Sequence, residues 1–262
     1  DTYANLTAPS DRQSVKRVVT GKTLECGGSQ GRDKATGQGA VFALQHYCNE
    51  VGDQVVGSNV AVQGFGNVGG FAASILHDMG SHVTAVADHT GAVFAPEGLD
   101  VPALRMWAKG NGGVKGFNGG DEMRTDEFFS ADVDFLIPAA LENQITAENA
   151  HSIKARVILE AANGPTTPAA EKILLNNGTE VLPDILVNAG GVVVSYFEWV
   201  QNKTSLSWDL AEVDKRLKSI IWRASDQTSA NRKRYGCTRR EGAYATALDR
   251  LSSVYNQRGI FP

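Results

Sequence analysis

Cysteine is scarce: Cys26, Cys48 and Cys237 are an odd number, widely spaced, with no C-x-x-C among them. That pattern argues against a disulfide framework or a zinc knuckle, and a reducing, cytosolic setting is the expectation. Long apolar runs are also missing. The longest, from Ile185 to Phe197, is interrupted by Asn188, Gly190 and Gly191, and no basic-then-apolar leader opens the chain. No membrane span is therefore expected, and the sequons at Asn5, Asn177 and Asn202 read as accidental. Charge of one sign is not concentrated anywhere. Lys and Arg total 25 against 29 Asp and Glu, a net charge of −4 without single-sign blocks, which argues against a nucleic-acid partner. The histidines at 46, 77, 82, 89 and 151 contain no H-E-x-x-H and no metal-ligand spacing, so they read as surface or helix-end residues and no metal is expected.

Glycine is what the chain has in excess, 28 residues or about 11% against a usual ~7%, with no fibre-like period. Tight turns and close backbone approaches are the expected use. Short β-branched runs at 59–63, 83–87, 133–137 and 157–159 alternate with helix-length segments at 35–51, 68–79, 101–108, 167–177 and 191–201. This rhythm predicts an α/β fold, Rossmann-like and doubly wound on a mostly parallel sheet. From about Asp209 the strands stop. Leu210, Val213, Leu217, Ile220, Ile221 and Ala224 recur at helical spacing, and Ala243, Tyr244, Leu248, Leu251 and Tyr255 do so again. The expected division is a dinucleotide-binding domain at 1–208 and a C-terminal helical appendage at 209–262.

The most informative stretch runs from Ser58 to Asp88. A strand leads into Gly64-Phe65-Gly66-Asn67-Val68-Gly69 and straight on into a helix, the context that G-x-G-x-x-G requires. Gly64 makes the tight turn, Gly66 lets backbone approach a pyrophosphate, and Gly69 allows close helix–strand contact, while the helix start offers free amides to phosphate. Nineteen residues after Gly69, Asp88 ends the next strand, where an acid accepts hydrogen bonds from an adenosine ribose. Asp88 favours NAD; His89 beside it, if protonated, could accommodate the 2′-phosphate of NADP. The bland alternative is a glycine-rich corner with Asp88 as a turn residue.

Other motifs compete less well. Gly27-Gly-Ser29-Gln-Gly31 spells a hydrolase elbow, with His151 as a nominal partner, but Leu24-Glu-Cys-Gly before it is a poor strand. Gly21-Lys22-Thr23 ends like a Walker A loop, yet Lys16 stands where its first glycine belongs. The glycine-rich loop from Gly110 to Gly120 reads as a surface connection. The basic cluster Arg232-Lys-Arg234 with Arg239 and Arg240 reads as a solvated helix end and loop. Asn163 and Asn188 each follow an apolar run, where open α/β sheets hold ligands. Asn188 and Ser195, seven residues apart, would share one helix face, with Gly190 and Gly191 leaving the helix start open to a ligand; otherwise Asn188 is a cap and Ser195 a surface residue.

Taken together, Val19-TGK, Gly27-GSQGRDKATGQG, Gly64-FGNVGG, Pro96-EGLD, Ile137-PAALENQIT, Glu160-AANGPTTPAA, Pro183-DILVNAGGVVVSYFEWVQN and the closing Ala243-YATALDRL…RGIFP resemble the nucleotide-binding part of the Glu/Leu/Phe/Val dehydrogenase family. The Ser-Tyr-Phe-Glu-Trp run at 195–199 resembles its glutamate branch. The resemblance implies oxidative deamination of L-glutamate to 2-oxoglutarate and ammonium, with NAD, or alternatively NADP, as cofactor. It implies cofactor contacts at Thr36, Gly64, Phe65, Gly66, Asn67, Val68, Gly69, Asp88, Ala139, Asn163 and Asn188, with Thr36 near the carboxamide and the two asparagines near the nicotinamide end. Ser195 would bind the substrate side-chain carboxylate. Family members also carry an N-terminal substrate domain whose Lys and Asp do the proton chemistry, and Asp1-Thr-Tyr resembles the helix just after those motifs. No catalytic residue is therefore expected here, and the chain reads as a fragment that binds dinucleotide but is inactive unaided, its C-terminal helices returning to the absent domain. The resemblance further implies a homo-oligomer, a hexamer in full-length members. A non-catalytic nucleotide-binding or regulatory module is the alternative.

Overall fold

In the computed structural model, Leu6 and residues 15–259 are described. The Asn5 sequon, the Asp1-Thr-Tyr opening and Ile260, Phe261 and Pro262 of the closing motif lie outside the described residues. The helix expected at 35–51 forms as α1 (Ala35–Val51) and leads to β1 (Asn59–Gln63), α2 (Asn67–Asp78) and β2 (His82–Asp88). There follow β3 (Gly91–Phe94), α3 (Val101–Asn111), β4 (Asp121–Met123), a single turn α4 (Thr125–Phe128) and β5 (Phe135–Pro138). Then come β6 (Val157–Leu159), α5 (Pro168–Asn176), β7 (Glu180–Leu182), the single turn α6 (Asp184–Val187), α7 (Gly190–Thr204), α8 (Leu210–Tyr235) and α9 (Arg239–Arg258).

One seven-stranded sheet results, in the order β4-β3-β2-β1-β5-β6-β7. The run from β2 through β1, β5 and β6 to β7 is parallel, and β3 and β4 add an antiparallel edge. β1 pairs with β5 through Val60↔Phe135, Ala61↔Leu136 and Val62↔Ile137. Every residue of β1 after Asn59 is buried, as a strand covered on both faces requires. Its alternating side chains feed two cores. Val60 and Val62 join Leu44, Leu76 and Ile137 on one face, and Ala61 joins Leu136, Ile158 and Leu174 on the other. The sheet is thus wound from both sides, and the direction of winding reverses between β1 and β5.

Local chemistry sets several boundaries. The Asp100 carboxylate accepts a hydrogen bond from the Ala103 amide at 2.9 Å and starts α3, with Pro102 in its first turn. Thr167 caps α5 in the same way, and Thr238 and Glu241 form a reciprocal capping box at α9. β3, β4 and β7, of three or four residues each, are too short to show a period, and β4 is mostly exposed Asp-Glu at the sheet edge. β5 begins at Phe135 rather than Val133, and the Asp134 carboxylate just before it accepts the Asn59 amide at 2.8 Å.

The two C-terminal helices differ. α8 lies across α1 and α7, with Val213, Leu217 and Ile221 buried. Only the start of α9 is buried, at Arg239, Gly242 and Ala243, while Tyr244, Leu248, Leu251 and Tyr255 are exposed along its length. The reading of Arg239 and Arg240 as solvated is overturned. Arg239 is 7% exposed, ion-paired with Glu50 and Glu180, and Arg240 is enclosed by Glu160, Glu171 and Asp184. A basic run says nothing of its partners when these lie 50 to 190 residues away in sequence. The histidine reading fails at His46, buried within α1 and hydrogen-bonded to Asp226 at 2.7 Å. Among the described residues no helix is long and apolar enough to cross a membrane.

The contrast between the helices gives a stability test. Leu217→Ala should lower the unfolding free energy of this chain by about 2–5 kcal/mol. Leu248→Ala should change it by less than about 0.5 kcal/mol. Urea denaturation measures both, and equal losses would contradict the packing described.

Candidate functional site

The corner after β1 is a tight backbone arrangement. Gly64 has φ +87°, in the left-handed region that favours glycine, and a Cβ there would stand 2.7 Å from the Ala139 carbonyl at the end of β5. A Cβ on Gly69 would collide with the Gly64 carbonyl oxygen. Gly66 differs from both, since a Cβ on it would meet nothing within 4 Å. The protein's own packing requires glycine at 64 and 69. At 66 the missing side chain opens space that the protein does not fill.

That space belongs to a cavity of about 1100 Å³ at the carboxyl ends of the strands, where the winding reverses. Gly64, Phe65, Gly66 and Asn67 line it together with Ala139, Ala140 and Leu141. α2 starts at Asn67, so its unpaired first amides and the positive end of its dipole are directed to this site. The group suits an anion such as a diphosphate. Phe128, Phe129 and Gln144 also line the cavity, and Arg105 and Lys109 of α3 add positive charge to the lining.

Asp88 lines the cavity, but its carboxylate is already engaged. One oxygen accepts the Thr90 amide at 2.8 Å and the Thr90 hydroxyl, and the other accepts the Val114 amide at 3.0 Å. Asp88 thus lines the cavity at the end of β2 and also fastens the glycine-rich loop after α3. That loop was expected to be a surface connection, yet it brings Gly112 and Gly113 into the cavity wall. Room beside Asp88 remains, lined by His89, Thr90 and Gly91.

A second cleft, about 770 Å³, adjoins the first at Asn67, which lines both. Thr36, Val68, Lys22, Arg32 and Lys34 line it. Lys22 and Lys34 are paired with Glu198 and Asp214. Arg32 instead donates from Nε to the Ser195 hydroxyl at 3.0 Å. The Glu198 carboxylate is fully buried and also accepts the Gly21 amide at 2.9 Å, so the Val19-TGK segment is held against α7. Arg32, Lys22 and Glu198 were missed as individual site residues; they stood inside quoted runs, but only the fold brings positions 22 and 198 together.

Asn163 and Asn188 do meet: the Asn188 amide donates to the Asn163 side-chain oxygen at 2.7 Å. The expectation that Asn188 and Ser195 share a helix face fails, because Asn188 ends α6 while Ser195 lies in α7. Gly190 and Gly191 serve packing rather than an open helix start. A Cβ on Gly190 would strike the Ala35 carbonyl, and one on Gly191 would come within 2.6 Å of the Thr36 hydroxyl. Ser29, the candidate elbow serine, is 4% exposed; its hydroxyl accepts from Gln201 at 3.0 Å and donates to the Gln30 carbonyl. Nothing there resembles an activated nucleophile.

Sheet order, a glycine corner at the reversal point and a cavity at the strand ends define a Rossmann-type α/β domain. Residues 27–259 match the family model of the Glutamate/Leucine/Phenylalanine/Valine dehydrogenases, and the chain belongs to that family. It is 44% identical to a glutamate dehydrogenase of Thermotoga maritima over 95% of this chain and 60% of that protein. It is 43% identical to the NADP-specific glutamate dehydrogenase A1 of Halobacterium salinarum, over 100% of this chain and 62% of that one. Among solved structures, the leucine-bound hetero-hexameric glutamate dehydrogenase of Thermus thermophilus superposes with a TM-score of 0.88 at 36% identity, covering 94% of this chain and 58% of that one. The chain thus spans about three fifths of the length of these relatives.

Two glycines of the corner, Gly66 and Gly69, should separate in their effects. Gly69→Ala should cost about 3 kcal/mol or more because two backbones would have to part. Gly66→Ala, at a helix cap with open space beside it, should cost about 1 kcal/mol or less. Thermal unfolding of both variants checks this; a Gly66 variant as damaged as the Gly69 variant would refute an unfilled space at 66.

Proposed function

We propose that this chain is the dinucleotide-binding part of a glutamate dehydrogenase, serving the oxidative deamination of L-glutamate to 2-oxoglutarate and ammonium. The observation that carries the reading is Gly66: a glycine that packing does not require, at a helix start, facing a cavity large enough for a dinucleotide. In this reading Gly64, Phe65, Gly66, Asn67, Val68 and Gly69 shape the diphosphate site, with Ala139 opposite. The adenosine end lies toward Asp88. The nicotinamide end passes Asn67 toward Thr36, Asn163 and Asn188. Bound there, the nicotinamide supplies the hydride acceptor, and the chain's contribution is orientation and electrostatics.

Ser195, held by Arg32, binds the side-chain carboxylate of the substrate in this proposal; the guanidinium beside its hydroxyl supports an anionic group there. The Lys and Asp that activate water belong to a substrate domain present in the longer relatives, so the chain alone is inactive. Residues 1–208 hold the cofactor, and 209–262 link to that further domain through the exposed stripe at Tyr244, Leu248, Leu251 and Tyr255. A cytoplasmic homo-oligomer, hexameric when complete, is the accompanying proposal.

The charge of Asp88 opposes a 2′-phosphate, which favours NAD. NADP is the second reading. It draws support from the Asp88 oxygens being engaged by Thr90 and Val114, and from Arg105 and Lys109 on the same cavity.

Fluorescence titration with NADH and NADPH tests these points. The chain should bind at least one of them, NADH more tightly, and Gly66→Ala should weaken binding about tenfold or more, a loss of about 1.4 kcal/mol. No glutamate-dependent reduction of either cofactor should occur until the substrate domain of a longer relative is added in trans. Turnover at enzyme-like rates by this chain alone would overturn the proposed division of labour, and absence of binding would overturn the site.

A further inference from the structure

Arg240 is the second residue of α9, and its guanidinium sits among carboxylates that follow β6 or belong to α5 and α6. Nη2 donates to both oxygens of Glu160 at 2.8 Å, Nε to Glu171 at 2.6 Å and Nη1 to Asp184 at 3.2 Å. Glu160 follows β6, and its side chain is fully buried. Burial raises its carboxyl above the usual carboxylate range, and Arg240 pulls in the opposite sense.

The cluster continues into the loop that bears Asn163. A Glu160 oxygen accepts the Asp184 amide at 2.9 Å. Asp184 in turn accepts the Gly164 amide at 2.8 Å on its second oxygen. Gly164, with φ +53°, is the residue after Asn163, whose side-chain oxygen accepts from Asn188. Four residues of α6 and its end, Asp184 to Asn188, span the distance from the cluster to that asparagine. A single cation therefore holds three carboxylates together. Without it their mutual repulsion, strengthened by burial, would drive Asp184 away from Gly164.

We infer that Arg240 is a positioning residue: through Glu160 and Asp184 it fixes the Asn163–Gly164 turn, and so the nicotinamide end of the bound cofactor, from the C-terminal helix. The inference rests on the proposed placement of that end beside Asn163 and Asn188. It also supplies a route by which α9 is mechanically tied to the site, since the same helix presents the exposed stripe farther along. Arg239 provides the internal control. It makes a comparable buried pairing with Glu50 and Glu180 from the neighbouring position, but on the side of α1 and β7, with no bond to Asp184 or the asparagine turn.

The experiment compares the chain with its Arg240→Ala, Arg240→Lys and Arg239→Ala variants in two measurements. Hydrogen exchange of the Gly164 amide is read without nucleotide. Affinity is read for ADP-ribose, which lacks the nicotinamide, and for NADH or NADPH, whichever the unaltered chain binds more tightly. Arg240→Ala should speed exchange at Gly164 about tenfold and weaken dinucleotide about tenfold, while ADP-ribose changes by less than about twofold. Arg240→Lys, which keeps the charge but not the fork, should show the same split at smaller size and serves if the alanine variant does not fold. Arg239→Ala should lower Tm without the split. Unchanged exchange at Gly164, parallel weakening of both ligands, or the same split from Arg239→Ala would overturn the inference. An unaltered chain that binds neither dinucleotide, or binds dinucleotide no better than ADP-ribose, would overturn the placement of the nicotinamide and the cofactor part of the inference with it; exchange at Gly164 would still decide whether Arg240 holds the turn.

Discussion

Three backbone segments meet within van der Waals distance at the end of β1, and the remainder of the site is arranged around that meeting. Gly64 passes under the Ala139 carbonyl, Gly69 passes over the Gly64 carbonyl, and α2 is thereby drawn against the sheet with its amino end at the cavity. A side chain at 64 or 69 would wedge α2 away and take its dipole with it. Because the contact is backbone on backbone, no rotamer change can relieve it. Gly66, between Gly64 and Gly69, is exposed at the mouth of the cavity, and its missing side chain leaves the helix start open.

Buried charge is the second constraint. Glu160 and Glu198 have no exposed side-chain surface, and each is satisfied by a cation far away in sequence, Arg240 and Lys22. An unpaired carboxylate at either place would be costly, so the pairings dictate where the chain's outer segments go. Lys22 binds the segment before α1 to α7, beside Ser195 and Arg32. Arg240 binds the start of α9 to the ends of β6 and β7. The segment before α1 and the start of α9 are in this way each tied to the body of the fold by an ion-pair centre, while the rest of α9 runs on with its apolar stripe uncovered.

Much of this was legible beforehand. Ala35–Val51 and Asn59–Gln63 form where periodicity put them, and the alternation of strands and helices was enough for the doubly wound class. The glycine corner was readable because strand, turn and helix are contiguous. Asp88 was only half readable: its position at the end of β2 follows from sequence, but the amide of Val114 that occupies it arrives from 26 residues away. The basic residues at 239 and 240 were misread for the same reason, since exposure is a property of what folds over a residue and not of the residue. Asn188 and Ser195 were assigned to one helix because nothing local announces the break at Ala189.

By itself, then, the order of residues determined whatever depends on neighbours within a turn or two: caps, strand and helix types, the G-x-G-x-x-G corner and the family likeness carried by short contiguous runs. Tertiary structure decided which glycines are filled against and which is left open, which of Lys22, Arg32 and Lys34 donates to a hydroxyl instead of a carboxylate, and which charges are buried. Those outcomes depend on pairs of groups separated by tens to nearly two hundred residues. Their energies come from desolvation and steric exclusion, which exist only once the chain has closed on itself.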